Sequence, residues 1–478
     1  MSIARTTLLL LALATTLAGC VDVDQEVAST PQEYWQPVER AKPAEALSLP
    51  VASTAVTDKE LSLPALVDLA LTNNPDTRAA WYNAKAAAAR LGETNSQYYP
   101  QITLNVTADR LKTRTVGLNG QTFNANTNYS TFVGPSIQMN YLLWNFGKNY
   151  ADTESSRQAL FAANYLYNQQ IKDTLLSTEL AYFNYNAALG FVDAAQATLD
   201  DANTTYNAAN QRLTAGLGTK QEEREAFAQV KNAEFQLEQS QSQVETTRAQ
   251  LAQTLGIPVA GNLNIVRSEA LPSSTSIDAD VSGLMADAMR QRPDLMAAYA
   301  NMMQARYNVT SSKDDQYPTI SAFANATYGR DYAGVTHGNP QQNYEVGLQA
   351  SWQIFTGFEK TYAILNAQEQ EEAARATLRA QELKIVTDVW SSFYAYKSAL
   401  HQVDSTSAQV DAQQEAYTAI RTGYNAGLNS YVDLLTSLSN LATARQQKVQ
   451  AEANLGTAIA TLAHATGNMP IAAANAAK

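Results

Sequence analysis

The two halves of this sequence repeat one another at a near-constant offset. Pro75, Asp76, Ala79, Ala80, Tyr99 and Pro100 recur as Pro293, Asp294, Ala297, Ala298, Tyr317 and Pro318, each 218 positions on. Further along the offset is 211: Tyr182-Phe183-x-Tyr185 returns as Phe393-Tyr394-x-Tyr396, and Ala215-Gly216-Leu217 as Ala426-Gly427-Leu428. A unit of about 200 residues is far longer than a solenoid repeat. It reads as a duplicated, domain-sized element over 61–258 and 281–470, joined by a linker at 259–280.

Each copy opens on helical sequence, Leu63 to Gln97 and Val281 to Gln316, interrupted by Asn74-Pro75 and Arg292-Pro293. Proline fits only the first turn of a helix, so each stretch is a short helix followed by a longer one. Tyr-Pro then closes both, because the residue before proline is pushed out of the α region.

Period two follows. Ile102, Leu104, Val106 and Ala108 alternate with polar residues, and Ile137, Met139, Tyr141 and Leu143 alternate with Gln138, Asn140 and Leu142. In the second copy Ile320, Ala322, Ala324, Ala326 and Tyr328 line one face, and Tyr344, Val346, Leu348, Ala350, Trp352 and Ile354 another. Linkers at about 116–128 and 334–341 join these into hairpins over 101–144 and 319–356. The runs have the length a tilted strand needs to cross a bilayer. An ordinary soluble hairpin is the other reading, but nothing else in the chain supplies a covering sheet. Four strands cannot close a barrel, and lipid cannot satisfy an open edge. A membrane-spanning sheet therefore requires several chains to share one barrel.

From about Lys148 to Thr214, and again from about Glu359 to Ala426, there is no proline. Helices of that length reach on the order of 100 Å at about 1.5 Å per residue. Each ends at a tight tip, 215–219 or 426–430, whose glycine suits a left-handed C′ position and whose leucine can pack back on the last turn. Thr219 with Glu222, and Ser430 with Asp433, are spaced as capping boxes for the returning helices. Those helices carry a heptad. Val230, Leu237, Val244 and Leu251 match Leu441, Lys448, Leu455 and Leu462, beside a line of small residues from Ala233 to Thr254 and from Ala444 to Ala465. Large residues facing small ones every seven positions specify a close-packed, left-handed coiled coil.

The first 19 residues read as a signal peptide, with Arg5 before the apolar run Leu8 to Leu17. Leu17-Ala18-Gly19-Cys20 matches the lipobox of bacterial lipoproteins, in which the cysteine becomes an acylated N-terminus; a plain secretory signal is the blander reading. Val21 follows, where an aspartate would resemble an inner-membrane retention signal, so the anchor is assigned to the outer membrane. Residues 20–60, with Pro31, Pro37, Pro43 and Pro50, read as an extended arm on the folded body, and 471–478 as a tail. Net charge of -12 excludes nucleic acid as a partner, which requires a basic face. No apolar run of 18 residues follows the signal, so a membrane span must consist of strands.

Catalytic chemistry is absent. His337, His401 and His464 lie in different elements and make no metal site without cysteines. Gly216-Leu217-Gly218-Thr219-Lys220 lacks the spacing and preceding strand of a phosphate loop. No cofactor is implied beyond the lipid on Cys20.

The duplicated order of helix, hairpin, long helix, tip and helix, the paired tips and the Leu17–Cys20 lipobox resemble the outer membrane efflux proteins. These are the TolC-like outer membrane factors, here of the lipoprotein branch, and the likeness covers about 60–470. The resemblance implies a mainly α fold with a membrane β-barrel. Three chains with four strands each would share a twelve-stranded barrel above a long antiparallel coiled-coil α-barrel. It implies a homotrimer in the outer membrane, partnered by a periplasmic adaptor and an inner-membrane transporter of the proton-driven RND type. Small amphiphilic compounds would be the cargo. Residues Ala215, Gly216, Leu217, Ala426, Gly427 and Leu428 would be the adaptor-docking tips. Asp433, Glu222 and Tyr424 would form the periplasmic gate, with helix capping as the alternative role of both carboxylates. Asn429 stands where the best-known member has a gating arginine, and Thr436 where it has a second aspartate. The resemblance thus implies one acidic ring and no salt-bridge lock through 429. The exit duct of a type I protein-secretion system and an envelope-tethering lipoprotein are the competing functions.

Overall fold

The computed structural model describes residues 32–33, 61–119, 122–257, 265–267, 280–332 and 339–467. The signal segment, Cys20, most of the 20–60 arm, most of the 259–280 linker, His337 and the 471–478 tail lie outside the described residues. In the first copy, α1 (Leu63–Asn73) and α2 (Pro75–Asn95) lead through a 3-10 turn to β1 (Gln101–Asn119) and β2 (Thr122–Trp144). The long α3 (Lys148–Thr214) and returning α4 (Lys220–Thr254) follow. The second copy repeats the order as α5 (Val281–Gln291), α6 (Pro293–Asp314), β3 (Thr319–Asp331), β4 (Asn339–Ser351), α7 (Glu359–Asn425) and α8 (Tyr431–Thr466). Two compact units result. One contains Ala84–Ala162 and Ala298–Leu378 and carries the strands; the other contains Ala28–Asn83, Ala163–Ala297 and Arg379–Lys478 and carries both tips.

The strands form one antiparallel sheet in the order β1-β2-β3-β4. Its register lines up the apolar sets: Ile102 opposite Met139, Met139 opposite Ala324, Ala324 opposite Val346. The next row up is Leu104, Ile137, Ala326 and Tyr344. Between them Thr103, Gln138, Asn325 and Glu345 make a polar row on the other face, since side chains alternate across a strand.

Two expectations about the hairpins are corrected. The ladder runs through most of the presumed 116–128 linker, pairing Val116 with Ala125 and Asn119 with Thr122, and β4 begins at Asn339, inside the presumed 334–341 linker. Backbone groups pair whatever side chains they carry, so turn-like composition did not end the strands. At the other end β4 stops at Ser351, short of Trp352 and Ile354. Its last partner is Thr319, and Pro318 beyond it has no N–H to offer the ladder.

Within the helical unit the two copies make the same contact with different residues. Asn74 Nδ2 donates to the Thr254 carbonyl (3.0 Å) while its Oδ1 accepts from the Asp76 and Thr77 amides (2.8 and 3.2 Å). At the equivalent position, Arg292 Nη1 donates to the Ala465 carbonyl (3.4 Å) and the guanidinium also pairs with Asp294 (2.5 Å) and Asp388 (3.1 Å). The returning helices end on Gly256 and Gly467, both left-handed (φ 68° and 77°). At Gly256 the Ile257 amide donates to the Ala252 carbonyl (3.1 Å), closing a Schellman turn. A Cβ there would meet the Asn73 carbonyl oxygen at 2.6 Å. Gly256→Ala is therefore expected to cost about 2 kcal/mol, from the left-handed backbone and the clash together, read as a lowered denaturant midpoint. A midpoint equal to wild type would refute it.

The described part of the N-terminal arm is bonded to this unit. Gln32 Nε2 donates to the Thr72 carbonyl (3.4 Å), and the buried Tyr167 donates its hydroxyl to the Glu33 carbonyl (2.8 Å).

Candidate functional site

The tips are built by their caps. The Leu217 amide donates to the Arg212 carbonyl (2.8 Å) and the Gly216 amide to that of Leu213 (3.0 Å); Leu428 and Gly427 repeat this with Gly423 (2.8 Å) and Tyr424 (3.0 Å). With Gly216 at φ 75° and Gly427 at φ 77°, both are Schellman turns. The leucines, however, do not pack back: Leu217 is 71 % and Leu428 84 % exposed. The residue each would cover, three positions inside the helix end, is Arg212 in one tip and Gly423 in the other, and neither offers an apolar surface. Ala215, Gly216, Ala426 and Gly427 are exposed beside them.

Both capping boxes are formed. The Glu222 amide donates to Thr219 Oγ1 (3.2 Å) and Glu222 Oε2 accepts the Thr219 amide (3.4 Å). Asp433 Oδ2 accepts from the amide and hydroxyl of Ser430 (3.0 and 2.7 Å), and its own amide donates back to Ser430 Oγ (3.2 Å). The Ser430 hydroxyl, then its amide, hold the Asp433 carboxyl below the usual range, and the side chain is exposed to water. Glu222 is half-buried. The carboxylate buried at the first tip is Glu223, which sequence reasoning missed. It pairs with Lys220 (2.7 Å) and Arg224 (3.3 Å) and accepts from Tyr206 (3.4 Å), and the Lys220 contact foremost lowers its pKa.

Behind the caps the two hairpins clasp through a ladder also missed from sequence. Tyr417, Tyr424, Tyr431 and Leu438, spaced by seven, pack with Ala202, Ala209, Ala226 and Ala233 of the first hairpin. The three tyrosines at heptad spacing were the available signal. Tyr424, a gate candidate, is buried in this ladder, its ring 6.1 Å from that of Tyr431. Burial first, then the Glu222 charge, raises the Tyr424 hydroxyl, and burial pushes Tyr431 up to about 12. Arg212 Nη1 donates to the Tyr424 carbonyl (2.7 Å), and its guanidinium lies 4.8 Å from the centre of the Tyr424 ring. Asn429 turns its amide onto Gly423, where no side chain stands in the way. Of the gate candidates, Glu222 and Tyr424 are thus brought together, while Asp433 points to solvent.

In the strand-bearing unit the apolar face of the sheet is bare, with Val346 84 % exposed. Exposed aromatics mark both ends of that band. Tyr99, Trp144, Phe146, Tyr317 and Trp352 stand at the helix side, with Phe146 stacked on Tyr317 at 5.4 Å, and Tyr328 and Tyr129 stand farther along the strands. An apolar band bordered by exposed aromatics is the surface of a membrane barrel.

A family model described as outer membrane efflux protein matches residues 66–257 and 284–468, one segment per copy. The chain belongs to that family. Among relatives, Protein CyaE of Bordetella pertussis is 23 % identical over 91 % of this chain and 90 % of its own. Outer membrane protein TolC of Escherichia coli is 24 % identical over 80 % of this chain and 77 % of its own. The solved structure of the outer-membrane channel OprN, 21 % identical, superimposes with a TM-score of 0.74 over 91 % of this chain and 99 % of its own. This outer membrane efflux protein is accordingly a channel, with strands for the outer membrane and helices for the periplasm, and not an enzyme. Efflux proteins of this family work as trimers with periplasmic adaptors and inner-membrane pumps. Among the described residues no three His, Cys, Asp or Glu side chains gather as a metal site, and His464 is paired with Asp173 (2.8 Å).

Proposed function

We propose that three copies of this chain close one twelve-stranded barrel and a helical duct, through which an RND-type pump and its adaptor export small amphiphilic compounds. The observation that carries the proposal is the single sheet β1-β2-β3-β4, whose outer strands each have an unpaired edge beside an apolar face. In lipid those edges must be paired, and only β1 and β4 of other copies offer the matching geometry. The helices support the same closure. Lys172 of α3 donates to the Gly467 carbonyl (2.7 Å), with Leu175 and Glu179 buried on the same helix. Their equivalents on α7, Leu383, Val386 and Trp390, are exposed. A neighbouring copy packed as the two halves pack within one chain would cover them.

The exposed tips Ala215–Leu217 and Ala426–Leu428 present small residues and one free leucine each, a surface suited to an adaptor. Acylation of Cys20 would add a lipid anchor to the strands. At the gate, three Asp433 carboxylates around one axis would crowd into an acidic ring that binds divalent cations.

The gate is tested with two variants in planar lipid. Asp433→Asn keeps an oxygen for the Ser430 amide and removes the charge; Asp433→Ala removes both. Both are expected to raise single-channel conductance and to abolish block by divalent cations. If only the alanine variant changes, Asp433 is a cap and the acidic ring does not exist. If the wild-type protein runs as a single subunit or carries no current, the channel assembly proposed here is wrong.

A further inference from the structure

The charged residues of the four strands are sorted by sign between the two faces of the sheet. Asp109, Asp331 and Glu345 fall on the polar face, where Ser130 donates its hydroxyl to Asp331 (2.7 Å). Arg110, Lys112, Arg114 and Arg330 fall on the apolar face, all exposed. The register places them in adjoining rows: Arg330 opposite Val133, Arg110 opposite Thr131, Lys112 opposite Tyr129 and Arg114 opposite Thr127. Both hairpins make the switch between neighbours, Asp109 to Arg110 and Arg330 to Asp331, because successive side chains point to opposite faces. We propose that these four cations form a binding stripe for the phosphate groups of an anionic glycolipid in the outer leaflet of the outer membrane.

Depth, spacing and surroundings support the assignment. Ile102 opens the apolar face at the helix side, and Arg110, Lys112 and Arg114 follow it on the same strand. At about 3.3 Å per residue and a tilt of about 40°, they stand roughly 20–30 Å up the membrane normal, where an apolar band of about 25 Å ends. The helices belong to the periplasm, so this end of the strands meets the outer leaflet. Successive cations of β1 are about 7 Å apart on one face, and among the described residues none of the four is paired with a carboxylate. Like charges so placed repel unless an anion is supplied from outside the chain. Tyr129 stands at the same depth, its ring centre 5.6 Å from the Arg110 guanidinium and 5.4 Å from Lys112 Nζ. One ring thus holds two cations side by side, and a guanidinium fork matches phosphate oxygens. A strand end that needed only solubility would be served as well by carboxylates on this face. They are all on the other.

The test uses the full-length protein in detergent, titrated with diphosphorylated lipid A, dephosphorylated lipid A or phosphatidylglycerol, with bound lipid counted by native mass spectrometry. Wild type is expected to hold the diphosphorylated form at least about ten-fold more tightly than the other two. The triple variant Arg110→Gln, Lys112→Gln, Arg114→Gln is expected to lose that preference at an unchanged thermal midpoint, and Arg330→Gln to reduce it by a smaller factor. Asp109→Asn, on the polar face, is expected to keep it in full. Equal binding of the three lipids by wild type, an undiminished preference in the triple variant, or an equal loss in Asp109→Asn overturns the stripe. Release of the bound lipid by millimolar inorganic phosphate assigns the cations to a soluble anion and overturns it too. Should the triple variant unfold, Arg114→Gln alone decides, and a preference equal to wild type refutes the proposal. The readout is lipid binding and not current, so its failure leaves the channel standing.

Discussion

Arg292→Ala is expected to destabilise the helical unit by about 3–5 kcal/mol, the cost of breaking a buried ion pair from one side. The guanidinium is nearly inaccessible, with a side-chain exposure of 5 %, and pairs with Asp294 and Asp388. Burial works against the Asp294 charge, but Arg292 outweighs it and holds that carboxyl below the usual range. Removing Arg292 leaves Asp294 with the neutral Gln381 amide (2.7 Å) as its side-chain donor from α7. Arg292→Asn, which imports the residue found at the equivalent Asn74, is expected to rescue little. Asn74 has no acidic pair to satisfy; its amide oxygen caps α2 instead. The double variant Arg292→Ala with Asp294→Ala should recover part of the loss, because no buried charge then remains unpaired. Denaturant midpoints of the purified protein decide this. A single variant within about 1 kcal/mol of wild type would mean that the Arg292 cluster is solvated rather than buried.

Stability is also expected to fall as pH rises from about 4.5 to 7, through Glu179. This α3 carboxyl is 3 % exposed, and burial pushes its pKa up to about 7. The folded protein therefore holds the proton more tightly than the unfolded chain does. Below pH 4.5 both states are neutral at this residue and its contribution is fully present; it is lost as pH rises through 7. A shift of this size corresponds to about 3 kcal/mol. Glu179→Gln should flatten the profile between pH 5 and 8 and leave the variant the more stable of the two at pH 8. Parallel wild-type and variant profiles in thermal melts would show that Glu179 is not the group responsible.

How much was legible in advance depended on which interaction was local. The long helices, the proline breaks at 75 and 293, the tip glycines and the two capping boxes are decided within a few residues of chain, and they stand where their spacing placed them. Turn-rich composition near 116–128 misled, because a ladder between two backbones does not consult side chains. The Leu217 and Leu428 contacts failed for a reason visible only in hindsight: Arg212 and Gly423 sit where an apolar partner was needed. Glu223, rather than its neighbour Glu222, turned out to be the buried carboxylate, a difference of one position on a helix face.

By itself, the sequence determined that this protein is two copies of one helix–hairpin–helix unit and that four alternating strands cannot form a wall alone. Periodicity and an internal offset need no coordinates. Only the tertiary structure decided which residues join the copies. Tyr417, Tyr424 and Tyr431 on one hairpin found alanines on the other, and Arg212 and Arg292 found carbonyls and carboxylates more than 80 positions away. Such partners are chosen by how helices rotate against each other when they pack; a heptad marks the packing face in the linear order but does not name the residues opposite it.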